Sequence, residues 1–258
     1  MDIPREFRPG QPPFNPVELA AKTARVVCKQ IRRSVARKYT HFSVVRFYRG
    51  AATGFAVGCN LRCFFCWSHR ARDYPEMYGE FYTPSQVVEK LKRLARSRGS
   101  RVARVSGGEP TICPDHLLEV LKLVDEEECF DVFVLETNGI LIGTDPDLAK
   151  RIANSCSKLV VRVSIKAGCP DKFYERTGGE PSAWELPFRA IEVLNNLGVH
   201  VYPAVIVDPR IVTVDERRAI ISRLASIDPR LAREIEEETI EPFPESLRRM
   251  KIYGLVIK

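Results

Sequence analysis

Apolar residues recur at three-to-four spacing between residues 17 and 38: Val17, Ala20, Ala21, Ala24, Val27, Cys28, Ile31 and Val35, with basic residues between them. That period predicts an amphipathic helix with a basic outer face. The residues before it carry Pro4, Pro9, Pro12, Pro13 and Pro16 and read as an extended lead-in. From residue 52 the pattern changes. Short apolar runs predict strands at Ala52–Val57, Arg101–Val105, Phe130–Glu136, Lys158–Ile165 and Val199–Val207. Amphipathic segments between them predict helices from Thr83 to about Arg98, over Pro114–Glu127, from Asp145 to about Ser155, over Trp184–Leu197 and over Asp215–Ser226. Pro84 suits a first helical turn, and Gly198 suits a helix stop. The acidic run Glu234–Glu241 reads as a solvated helix face, and the tail Lys251–Lys258 as a final strand.

Strands alternating with helices imply βαβ units and a parallel sheet. Right-handed crossovers let such a sheet curl into a complete or partial barrel. Periodicity does not separate that arrangement from a doubly wound sheet.

Composition narrows the class. The chain has 258 residues, 45% hydrophobic and 28% charged, enough to bury a substantial core. It has no apolar run long enough to predict a membrane span, and its start lacks the apolar core of a secretory signal, so a cytoplasmic location is expected. Net charge is +7, and residues 1–50 hold eleven Lys/Arg against three acids, which leaves the remainder at −1. The basic character therefore belongs to the N-terminal arm. Its basic face reads either as a solvated helix surface or as an arm that touches phosphates.

Three of the eight cysteines lie in one short stretch, Cys59-Asn60-Leu61-Arg62-Cys63-Phe64-Phe65-Cys66, spaced C-x3-C-x2-C just after a strand. Soft thiolates so placed can wrap one face of a four-iron cluster, leaving one iron without a protein donor. Such tight spacing suits a metal better than disulfides and suits a reducing compartment. A zinc site with His69 as fourth ligand is the other reading, although the remaining cysteines form no second pair. Ser106-Gly107-Gly108-Glu109-Pro110 ends the second strand, where two glycines permit close backbone approach and a carboxylate can meet an amine. Gly178-Gly179-Glu180-Pro181 repeats the string where no strand ends directly and reads as turn chemistry. Thr137-Asn138-Gly139 ends the third strand and would otherwise be a simple turn. Alternation puts Arg162, Ser164 and Lys166 on one face of the fourth strand.

Together these motifs resemble the radical S-adenosylmethionine (SAM) superfamily. The resemblance implies an α/β fold, a partial (βα)6 TIM-like barrel with an N-terminal basic helical extension, divided as residues 1–50, a core at 51–230 and a C-terminal extension at 231–258. It implies that Cys59, Cys63 and Cys66 hold a [4Fe–4S] cluster whose open iron chelates SAM. Gly107, Gly108 and Glu109 would hold the methionyl amino group, with Ser106 adjacent. Asn138 would line the site, Ser164 and Lys166 would meet the ribose and carboxylate, and Phe65 would lie near the adenine. An apolar adenine contact would fall within Ala204–Val207. The reaction implied is reductive cleavage of SAM to methionine and a 5′-deoxyadenosyl radical, which takes hydrogen from a substrate. An external electron donor of ferredoxin or flavodoxin type is implied as a partner.

Substrate is less constrained. Cys66-Trp67 and Gly108–Thr111 are similar to a tRNA-modifying branch, which with the basic arm points to RNA. Glu136–Gly139 also resembles enzymes that activate glycyl-radical proteins and enzymes of small-molecule pathways, and the overall pattern resembles small archaeal members. A non-catalytic iron–sulfur or zinc module is the reading of another class. Cys169, just past the fourth strand, is either a substrate-facing thiol or a plain rim cysteine.

Overall fold

The computed structural model describes residues 3–255. The lead-in runs into α1 (Pro16–Val27), a hairpin of β1 (Cys28–Ile31) and β2 (Ser34–Val45), and β3 (Ala51–Ala56). The cysteine stretch follows, then α2 (His69–Asp73), β4 (Glu80–Tyr82) and α3 (Pro84–Arg98). The chain then alternates through β5 (Val102–Gly107), α4 (Pro114–Asp125), β6 (Val132–Thr137), α5 (Ile140–Thr144), α6 (Pro146–Ala153), β7 (Leu159–Ile165), α7 (Pro170–Thr177), α8 (Leu186–Asn196), β8 (His200–Ile206) and α9 (Val214–Ile227). It closes with β9 (Glu236–Glu238) and α10 (Pro244–Ile252).

The described residues form one nine-stranded sheet, ordered β1-β2-β3-β5-β6-β7-β8-β9, with β4 on β2. From β3 to β9 every neighbouring pair is parallel. These six strands are the expected (βα)6 array. No pairing joins β9 back to β3 among the described residues, so the barrel is partial. Helix starts follow their sequence signals. Thr83 and Gln86 form a reciprocal capping box ahead of α3, with Pro84 in its first turn.

The strands divide as alternation demands. Val105, Leu135, Val161, Val163, Ile165, Val201 and Val205 join the main core with Leu91, Leu121, Ile152, Phe188, Ile191 and Leu194 from the helices. Ser106, Glu136, Arg162, Ser164, Tyr202, Glu236 and Glu238 occupy the other face, where hydrogen bonds join most of them across strands. The lumen is therefore charged rather than apolar.

Four expectations are corrected. The helix over 17–38 stops at Val27, and the basic segment beyond it is the hairpin, turned at Arg32 with φ 53°. Its apolar spacing fits both periods, and the β-branched and aromatic run Tyr39–Val45 gains ladder bonds by pairing with β3. The acidic run is a strand, β9, because Glu236 and Glu238 pair with the buried Arg162 of β7. It supplies the sixth strand that the tail was expected to supply. Lys251 and Ile252 belong to α10 instead, Tyr253 and Gly254 follow it as a turn, and residues 256–258 lie outside the described residues. Finally, Cys28 and Cys113 form a disulfide with Cα atoms 6.0 Å apart, where none was expected. It ties the end of α1 to the start of α4. The second Gly-Gly string, read as turn chemistry, caps α7 through Gly178 at φ 73° and then bridges Phe14 of the lead-in through Gly179.

Candidate active site

The cysteine loop leaves the C-terminal end of β3 and is fixed there by backbone. Gly108 N–H donates to the Ala56 carbonyl (2.7 Å), and Glu109 N–H to the Gly58 carbonyl (2.8 Å). A Cβ on Gly108 would lie 2.0 Å from the Gly58 oxygen, and Gly107 has φ +96°. The two glycines are required because the loop after β5 is zipped to the loop after β3. On the far side, Arg62 and Phe64 N–H donate to the carbonyls of Thr177 and Arg176 at the end of α7.

Glu109 organises the turn that faces the loop. Its Oε1 accepts from Thr111 N (3.1 Å), Thr111 Oγ1 (2.6 Å) and Thr137 Oγ1 (2.7 Å), and its Oε2 from Asn138 N (2.7 Å). Three of the four bonds fall on Oε1, so Oε2 keeps room for a further donor. Asn138 in turn donates through Nδ2 to Asn60 Oδ1 at 2.7 Å, and that nitrogen stands 3.8 Å from Cys59 Sγ. Cys59, Gly108, Glu109 and Asn138 are thus one connected cluster.

Burial pushes the Cys59 thiol up to about 12, with Glu109, Cys63 and Cys66 adding to the shift. Burial also raises Cys63, against the pull of Lys166. Cys66 is half-buried beside the exposed Trp67. Among the described residues no three His, Cys, Asp or Glu side chains converge on a single metal ion. A cubane cluster does not ask that of them, since each thiolate takes a different iron.

Electrostatics distinguish the loop. Arg37, Arg62, Arg72 and Arg249 are all buried around it. Arg37 Nη2 donates to the carbonyls of Val57 and Glu109, Arg62 Nη1 to those of Cys59 and Leu61, and Arg72 Nη1 to that of Cys63. The buried carboxylates near them are Asp73 and Glu109, and the part-buried Glu245 accepts from Arg249 Nε at 3.0 Å. Seven buried side-chain polar atoms lack a partner among the described residues: Arg37 Nε and Nη1, Asn60 Nδ2, Arg62 Nη2, His69 Nδ1, Ser246 Oγ and Arg249 Nη1. All belong to the cysteine loop or to elements packed on it. Each costs roughly 1–3 kcal/mol when left unpaired. Three soft thiols inside surplus buried cations and unused donors fit an anionic iron–sulfur cluster.

The other expected residues divide in two. Phe65 is buried with the loop, and Lys166 Nζ stands 5.9 Å over its ring. Lys166 also donates to Ser164 Oγ, whose hydroxyl donates to Glu238 Oε2 at 3.0 Å. Ser106 belongs to the lumen instead. Its hydroxyl donates to Glu136 Oε2 at 2.6 Å, and Glu136 holds Arg104 through both oxygens (2.8 and 2.6 Å). Cys169 stands at the start of α7, and among the described residues no hydrogen bond joins its side chain to the cysteine loop. Unforeseen from the sequence are the four arginines, Asp73, Glu136, Glu238 and Tyr48. The last, at φ 56°, donates to Glu136 (2.8 Å) and accepts from Tyr202 (2.9 Å) at the base of the barrel. Alternation alone could have flagged Glu136, which faces Arg162 across the ladder.

The chain is similar to several known proteins. The chain is 32% identical over 158 residues to 7-carboxy-7-deazaguanine synthase of Methanothermobacter thermautotrophicus, covering 59% of each chain. It is 26% identical to the pyruvate formate-lyase-activating enzyme of Clostridium pasteurianum, covering 73% of each. It is also 33% identical to a probable GTP 3′,8-cyclase of Methanococcus vannielii, covering 47% of this chain and 38% of that one. The match thus spans less than two thirds of the synthase and of the cyclase. Among solved structures, a radical SAM methyltransferase from Sphaerobacter thermophilus superposes with a TM-score of 0.56 at 13% identity, covering 93% of this chain and 81% of that one. SuiB of Streptococcus suis bound to S-adenosylmethionine superposes with the same score at 15% identity, covering 77% and 44%. These two show a shared fold. The model of the radical SAM superfamily matches residues 54–224, more than half of the chain, which therefore belongs to that superfamily.

Proposed function

We propose that Cys59, Cys63 and Cys66 hold a [4Fe–4S] cluster and that the protein cleaves SAM there to act on a small polar molecule in the barrel lumen. The observation that carries this reading is the concentration of unpaired buried donors and cations around three thiols. When bound, the cluster supplies the electron that releases a 5′-deoxyadenosyl radical from SAM. The chain's own residues bind, orient and shield. Gly107, Gly108 and Glu109 would receive the amino end of SAM, with Ser106 before them. The Glu109 carboxylate has one acceptor position left on Oε2, which bonds only Asn138 N, and an amine can take it there. Asn138 orients Asn60 beside Cys59, Ser164 and Lys166 offer polar groups at the end of β7, and Phe65 offers an apolar wall.

A small-molecule substrate fits the lumen. Arg104, Arg162 and Lys166 with Glu136, Glu236 and Glu238 present donors and acceptors in one polar chamber. Relatives named for making 7-carboxy-7-deazaguanine and for cyclising GTP support a substrate of that size. The basic arm is divided, with Arg37 and Lys38 buried and Lys22 and Arg25 exposed on α1, and no relative named above is named for acting on RNA.

The test is anaerobic reconstitution with iron and sulfide, reduction, addition of SAM, and measurement of 5′-deoxyadenosine. The intact protein is expected to form it, and Cys63→Ala to form none and to hold less iron. A cluster-loaded protein whose electron spin resonance ignores SAM, and which yields no 5′-deoxyadenosine, would sink the reading. Tight, salt-dependent binding of bulk tRNA would redirect the substrate to RNA.

A further inference from the structure

α2 follows the cysteine loop directly, and its last residue, Asp73, is a buried carboxylate, 2% exposed. Three guanidinium groups reach it. Arg72 grips both oxygens, Nε on Oδ1 at 2.6 Å and Nη2 on Oδ2 at 2.9 Å. Arg249 of α10, 176 residues away in sequence, donates to Oδ2 at 2.8 Å. Arg62, inside the cysteine loop, has Nε 3.8 Å from Oδ1.

Two of these arginines also grip the backbone that carries the thiols. Arg72 Nη1 donates to the Cys63 carbonyl at 2.5 Å, and Arg62 Nη1 to the Cys59 carbonyl at 2.8 Å. The third anchors α10, which covers the loop: Met250 is buried with Cys63, Phe64 and Phe65, and Tyr253 lies 4.3 Å from the Phe64 ring. Asp73 is thus the one carboxylate that all three guanidiniums share, and none of the motifs read from the sequence contains it.

We propose that Asp73 is a positioning residue for the iron–sulfur cluster: through Arg62, Arg72 and Arg249 it fixes the cysteine loop and sets the charge that the cluster meets, and thereby its reduction potential. The inference rests on the cluster reading above and adds a role for α2 and α10. Arg249 has a second carboxylate in Glu245 (3.0 Å), but Arg62 and Arg72 have Asp73 alone, two cations to one anion, which leaves an excess of positive charge beside the three thiols. Positive charge and hydrogen bonds near a cluster favour its reduced, more negative form. Removing the carboxylate should make reduction easier, and removing a cation should make it harder.

The experiment is a spectroscopically monitored redox titration of the reconstituted full chain, with iron and sulfide counted per protein. Asp73→Asn, nearly the same shape without the charge, is expected to raise the midpoint potential. Arg249→Gln is expected to lower it, and Arg249→Lys, which keeps the charge, to restore it. Loosening of the loop should also lower iron retention in Asp73→Asn severalfold. A merely structural clamp would cost iron in every variant without opposite shifts in potential. Shifts of one sign, or none, in variants that retain cluster overturn the proposal. Failure of the parent protein to assemble any cluster would instead strike the cluster reading itself.

Discussion

The barrel lumen and the cysteine loop are both buried and both built on arginine, yet they balance charge differently. In the lumen Arg104, Arg162 and Lys166 meet Glu136, Glu236 and Glu238, three against three. Each arginine there has a carboxylate within 2.6 Å. Around the loop Arg37, Arg62 and Arg72 meet Asp73 and Glu109, three against two, while Arg249 shares Asp73 and also meets Glu245 at the rim. The lumen satisfies itself, and no buried side-chain atom of its charged residues is without a partner. The loop leaves donors unused. A fold can afford balanced ion pairs anywhere, but surplus buried cations persist where an anion is to be bound.

The first way to break this contrast is to unbalance the lumen. Glu136 bonds Arg104, Ser106 and Tyr48 and lies 4.0 Å from Arg162. Glu136→Leu strands Arg104 in a buried site, so urea unfolding should show a loss of about 3–5 kcal/mol. Adding Arg104→Met should recover much of it, because removing both partners removes the uncompensated charge. A single variant as stable as the parent would show that the lumen is hydrated and that its balance is not needed.

The same contrast explains what the sequence made legible. The cysteine spacing, the Gly-Gly-Glu turn and the five central strands are local patterns, and a short motif or a period of two is enough to mark them. The cation shell is not local. Arg37 reaches Glu109 over 72 residues and Arg249 reaches Asp73 over 176, distances at which spacing carries no signal. β9 was misread for a related reason: three consecutive glutamates have poor strand propensity, and only the partner arginine on β7 makes them a strand. The hairpin was misread because Ile31 and Val35 suit both a helical and a strand period. Cys28 and Cys113, 85 residues apart, are joined only by the fold.

Acid should separate the two regions more gently than mutation. Burial pushes the Glu238 carboxyl up, but Lys166 and Arg162 reverse that and hold it down to about 2. Glu136 is held low too, its burial outweighed by Arg104 and Arg162. A depressed carboxyl stabilises the fold above its unfolded pKa, and that contribution is lost as pH falls toward the folded value. Stability should therefore be level above about pH 5 and decline by roughly 3 kcal/mol for Glu238 between about pH 4.5 and 2, with Glu136 acting in the same direction. Melting temperature against pH measures this, and Glu238→Gln should flatten the decline. An unchanged acid limb in that variant would place the titration elsewhere, Asp208 with its partner Arg210 being the next site to examine.

The smallest effect sharpens the contrast most. Arg37 is fully buried and has no carboxylate bond; it donates to two carbonyls while Nε and Nη1 go unused. Arg37→Met removes an unpaired cation and two hydrogen bonds together, so the gain in desolvation offsets the loss. In the protein without its cluster the change should be within about 1 kcal/mol, far less than Glu136→Leu. After cluster assembly the same substitution removes a partner of the anion, and the gap in melting temperature between loaded and empty protein should narrow. An equal loss in both states would mean that Arg37 serves the fold alone, and the cation surplus would then need another anion to explain it.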